Sequence, residues 1–106
     1  NCMELLKIEN GIAKYWNDGD YHDIKEIDRS GLLAILAEIY NNNDAIIAST
    51  QINTEEIKDP AAKIIFKNIL DKLNDFSDKR DELRNDIDSI FKDAETQYKD
   101  DLLNET

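Results

Sequence analysis

The sequence predicts an all-α fold, a small bundle of three helices ending in a long one. Three observations predict it. The chain of 106 residues contains only three Gly and one Pro, and apart from Asp18-Gly19 the tight-turn signals that an all-β fold of this length needs are read as missing. Apolar residues recur at three- and four-residue intervals. A stripe of this kind persists without Gly or Pro from residue 61 to the end of the chain. The length allows one domain, residues 1–106, and no second core. Apolar residues at 41% suffice for a packed interior despite 35% charged residues.

The first helix is expected over residues 3–17. Met3, Leu5, Leu6, Ile8, Ile12, Tyr15 and Trp16 form its stripe, with Gly11 a weak point inside it. We take Asp18-Gly19 as the turn signal that stops it and Asp20 as the cap of the second helix. That second helix is expected over residues 21–48. Ser30-Gly31 would kink or restart it, and Leu32 to Ile39 should be its most buried stretch. Asn41, Asn42 and Asn43 are weak helix formers, but Ile46 and Ile47 return in phase, so the helix is read through them. Residues 49–58 form the connection.

The third helix is expected over residues 60–103. Asp59 can cap it and Pro60 suits its first position. Ala62, Phe66, Ile69, Leu73, Phe76, Arg80, Leu83, Ile87, Ile90 and Ala94 step by four and three, a heptad seam that Tyr98 and Leu102 extend. Acids precede bases by four residues at Asp59/Lys63, Asp75/Lys79, Asp88/Lys92 and Glu95/Lys99, the order that supports a helix. A break near residues 75–78 would make four helices instead. The kept phase of the seam argues for one rod. Arg80 is the polar member of the seam: a break in packing, a buried pair with a facing acid or a solvent-exposed gap, a residue that fixes register or partner choice, or a long side chain extending outward to solvent.

A rod so long outruns the segments available to cover it. Leu83, Ile87, Ile90, Phe91 and Tyr98 are therefore the candidate partner-binding residues, for another protein or for a second copy of the chain.

The formal net charge is −11, with nine acids and four bases in residues 1–53 and fifteen and nine in residues 54–106. A field of that sign, spread along the chain, disfavours binding to nucleic acid and to anionic lipid. Asp71, Asp75, Asp78, Glu82, Asp86 and Asp93 recur near helical spacing, either a solvated face or a strip for a basic partner. No apolar run reaches membrane-spanning length, which excludes insertion.

The sequence offers little chemistry. Asp18, Asp20, His22 and Asp23 cluster three carboxylates with the single His, but a calcium loop needs a Gly and a Glu in register that are missing. A capped turn accounts for them, and no metal site is assigned. Phosphate-binding Gly loops and helical Glu-x-x-His pairs are absent. With one His and one Cys, nucleophilic catalysis lacks a plausible set, so no catalytic residue and no cofactor is expected. Tyr15, Trp16 and Tyr21 are read as closing one end of the core or anchoring an interface.

Cys2, the single cysteine, excludes an internal disulfide. Its position resembles the mature end of a bacterial lipoprotein, where that cysteine carries the lipid, although Asn1 is an unusual neighbour for such a cleavage. The resemblance implies an extracytoplasmic, lipid-anchored protein. The functional expectation is a non-enzymatic interaction domain of a bacterial surface or secreted protein. The alternative is a cytoplasmic acidic inhibitor, such as an immunity protein, that masks a basic surface on a toxin or nuclease.

Overall fold

The computed structural model describes residues 3–104. Three strands, β1 (Leu6–Glu9), β2 (Ile12–Asn17) and β3 (Asp20–Asp23), form an antiparallel sheet in sequence order. Two helices come after it, α1 (Arg29–Asn41) and α2 (Pro60–Asn104), with short 3₁₀ turns at Ile24–Glu26 and Thr54–Glu56. The fold is therefore α+β, and the all-α expectation is corrected.

The first correction lies in residues 3–17. Leu5, Ile8, Ile12 and Tyr15 have helical spacing, yet Asn10-Gly11 sits between them as a two-residue hairpin turn. Asn10 and Gly11 have φ of 53° and 79°, and Asp18 and Gly19 have 51° and 84°. Paired positive φ values in two-residue loops define the type I′ turn, whose twist matches that of the flanking strands. A three-stranded meander needs only two such turns, so a low Gly count does not exclude it. Gly11 has a second constraint: its carbonyl accepts a bond from Lys58 N at 3.0 Å, and a Cβ there would lie 2.7 Å from the Lys58 side chain.

The register places Leu6 opposite Tyr15, Ile8 opposite Ala13, and Tyr15 opposite His22. Leu6, Ala13 and Tyr15 thus share a face and are buried. Lys7, Lys14, Trp16 and Tyr21 take the other face. There Trp16 and Tyr21 meet edge-on at 5.0 Å, and Lys7 Nζ lies 3.8 Å from the Tyr21 ring centre. The three aromatics divide: Tyr15 is buried in the core, while Trp16, half-buried against the edge of that core, pairs with Tyr21.

The expected helix over residues 21–48 shrinks to α1. Asp28, not Ser30, caps it, accepting from Gly31 N at 2.8 Å. The Asn run ends it at Asn41, and Ile46 and Ile47 are in phase for another reason. Their carbonyls accept from Leu5 N and Leu6 N at 2.8 Å each, a short parallel pairing beside β1. Leu32–Ile39 is not uniformly buried. Ile35 and Ile39 enter the core, whereas Leu33 faces out.

α2 begins at Pro60, with Asp59 accepting from Ala61 N at 3.0 Å. It runs 45 residues without a break. Ala62, Phe66 and Leu73 are buried against Leu6, Ala13, Tyr15, Ile24, Ile35, Ile39 and Ile57 in one core. Sheet, α1 and the first turns of α2 make a head. The rest of α2 projects from it, giving extents of 71 × 26 × 24 Å.

Candidate functional site: the projecting face of α2

The head releases α2 at two arginines. Arg80 Nη1 donates to the Ile39 carbonyl at 2.6 Å, and Arg84 Nη2 donates to the Tyr40 carbonyl at 2.6 Å. Arg84 also bonds Asn43 Oδ1. Ile39 and Tyr40 lie in the last turn of α1, where carbonyls have no following helical N–H and the macrodipole is negative. Two cations four residues apart on α2 therefore cap α1 from outside. Arg80 is neither a gap nor a solvent-facing residue: its side chain is only 11% exposed, and Asp81 neutralises it at 2.7 Å.

Past Arg84 the surroundings change abruptly. Every residue from Asn85 to Asn104 is exposed. Leu83 is 49% exposed, Ile87 39%, Ile90 66%, Phe91 67% and Tyr98 66%, and Leu102 and Leu103 are also open. At about 100° per residue, Leu83, Ile87, Ile90, Phe91, Ala94, Tyr98 and Leu102 fall within an arc of roughly 120°. They continue the same edge that Phe66, Leu73 and Phe76 bury in the head. The five residues singled out from the sequence thus lie together on one uncovered face.

One border of this face is acidic. Glu82, Asp86, Asp93 and Asp100 succeed each other at four- and seven-residue steps, extending the line of Asp71, Asp75 and Asp78, and all are exposed. The opposite border mixes signs, with Arg84, Asp88, Glu95 and Lys99.

Elsewhere the structure accounts for the polar clusters internally. Asp20 accepts from Tyr21 N, Asp23 caps the 3₁₀ turn through Lys25 N, and His22 Nε2 lies 3.1 Å from the Asn17 carbonyl. His22 also packs on Tyr15 at 5.6 Å. Among the described residues no group of three or more His, Cys, Asp or Glu is placed to hold a metal ion. Of the expected helix pairs, Asp59 instead binds Lys25 at 2.6 Å and Lys63 binds Glu55 at 2.9 Å. The Lys25 ammonium holds the Asp59 carboxyl below its ordinary value, and Asp59 in turn raises Lys25. Burial pushes the Tyr15 and Tyr21 hydroxyls up. Clefts of about 190, 180 and 150 Å³ open around the head. They are smaller than the cavities that usually enclose a small molecule. Among the described residues no helix is long and apolar enough to cross a membrane. Cys2, the expected lipidation site, lies outside the described residues.

No protein family, curated protein or solved structure matches this chain.

Proposed function

We propose that the chain is a non-enzymatic protein-interaction module in which the head presents the far half of α2 to a partner. The observation that carries this reading is the continuous exposure of the seam from Leu83 to Leu102. An apolar face of this kind on a projecting element is the usual mark of a docking surface. The helix itself supports the reading. A stretch of about 20 residues with no tertiary cover is marginal as a helix in water, and a partner would supply the missing burial. The arginine junction and the buried first half of α2, which tie the rod to the head, also support the reading.

The test is face-specific photocrosslinking of the full chain in the cells that make it. A photoreactive residue at Phe91 or Tyr98 should give one adduct of defined mass, lost on Ile87→Asp. The same probe at Ser89 or Lys92, on the far side of the rod, should give none. Equal labelling from both sides, or no adduct from either, would contradict the reading.

A second reading, an acidic inhibitor masking a basic surface, is favoured by the acidic border of α2. It differs in requiring the charges and not the apolar face, so Ile87→Asp would leave its binding intact.

A further inference from the structure

The far half of α2 distinguishes between candidate occupants. We infer that its partner is an amphipathic helix of another protein carrying Lys or Arg along one edge of its apolar stripe. The inference rests on the docking function proposed above and adds the partner's chemistry.

A second copy of this chain fits poorly. Continuing the seam by heptads from Leu83, Ile87, Ile90 and Ala94 reaches Gln97 and then Asp101, so strict a/d packing lasts about two heptads, fewer than a stable coiled coil sustains. The apolar face instead drifts sideways onto Phe91, Tyr98 and Leu102. An antiparallel copy would set Asp86, Asp93 and Asp100 against the same acids of its mate. A parallel copy would set those acids against Phe91 and Tyr98, leaving the charges uncompensated. Either pairing also joins two chains of net charge −11.

A basic-edged helix resolves each difficulty. Its stripe covers Leu83 to Tyr98, and its cations lie along Asp86, Asp93 and Asp100, a complementary pattern of the kind that fixes partner choice and register. The mixed border of Arg84, Asp88, Glu95 and Lys99 asks for no such excess, so the requirement falls on one edge of the partner.

The experiment is a displayed library of amphipathic helices with a fixed Leu/Ile stripe, in which both edges vary among Lys, Gln and Glu. It is selected on the full chain and, in parallel, on its Ile90→Asp/Phe91→Asp variant, with Trp16 fluorescence confirming that both heads are folded. Lys should be enriched along one edge, with Lys-edged peptides binding about tenfold or more tighter than their Glu-edged counterparts at low salt. Asp86→Lys/Asp93→Lys should reverse that preference. Peptides that bind the chain and not the apolar-face variant, but with no edge preference, would overturn the inference and leave the docking function standing. No peptide binding above the variant's background would overturn both. A dimer in light scattering that is lost in the Ile90→Asp/Phe91→Asp variant would assign the face to a second copy and also overturn the inference.

Discussion

Arg80 of α2 donates to the carbonyl of Ile39 at the end of α1, 2.6 Å away across 41 positions of sequence. That bond and its neighbour from Arg84 to Tyr40 mark the last place where the head holds the rod. A charge-assisted bond of this type contributes about 1.5–3 kcal/mol, and a helix end left without donors loses a further fraction. Arg80→Ala should therefore destabilise the head by about 2 kcal/mol. The more exposed Arg84→Ala should cost about half as much. Urea titrations followed by Trp16, the only tryptophan, read this directly. Arg80→Lys should recover little, because one ammonium cannot serve Ile39 and Asp81 with the same fork. Full recovery by Lys would show that charge alone matters there.

The two hairpin glycines separate backbone strain from crowding. Gly19 has φ of 84° and open space around it, so Gly19→Ala should cost about 1 kcal/mol for the left-handed conformation alone. Gly11→Ala should cost more, because its Cβ also meets the Lys58 side chain at 2.7 Å. Shortening Lys58 to Ala in the Gly11→Ala background should return the difference. Equal costs for the two glycines would remove Lys58 from the account.

The rod is legible in the sequence and the head is not, for a definite reason. From Pro60 onward the seam repeats many times and the Asp59-Pro60 start is unambiguous, so many observations agree. In residues 3–17 the apolar positions are too few to separate a helix from a hairpin. Leu5, Ile8, Ile12 and Tyr15 fit a helical period, while Leu6, Ile8, Ala13 and Tyr15 fit two strands around a turn. Asn10-Gly11 decides it: the pair is the strongest short hairpin signal, and the period hides it. Asp18-Gly19 carries the same signal, which a helix stop also explains. The pairing of Ile46 and Ile47 with Leu5 and Leu6 is long-range and has no local signature. The uncovered face is visible in outline, because a rod of 45 residues outreaches any head built from the rest. The arginine junction that ends the cover has no sequence pattern beyond one polar residue on the seam.

Substitutions along α2 should divide sharply at Arg84. Phe66→Ala removes a fully buried ring and should cost about 3–5 kcal/mol, and Leu73→Ala about 2–5. Ile90→Asp and Phe91→Asp should change the stability of the head by less than about 0.5 kcal/mol. Chemical denaturation read at Trp16 checks both halves. A large loss from Ile90→Asp would mean that the head covers the rod further than Arg84.

The exposed ion pairs give the head a defined pH response. Asp59 is held below its ordinary 3.8, and Glu9 and Glu55 below 4.5, each first by a lysine partner. A carboxyl lowered by folding contributes stability above its unfolded pKa and loses it as the pH falls through the folded value. Lys25, raised above 10.5, contributes below that pH and loses its share as the pH rises through its raised pKa. The urea midpoint should thus be flat through neutrality, fall below about pH 4 and fall again in strong alkali. Lys25→Gln should lower the plateau and blunt the alkaline fall, with both effects shrinking in high salt. An unchanged profile would remove the Lys25–Asp59 pair from the head's stability.

Solution X-ray scattering of the monomeric chain tests the projecting rod most directly. The structure has a Cα radius of gyration of 19.7 Å. A compact chain of this length would have about 13 Å. A value near 20 Å from a particle of single-chain mass is the predicted result. A value near that of the compact chain would mean that α2 folds back on the head, covering Ile87, Ile90 and Phe91 from within and leaving no face for a partner.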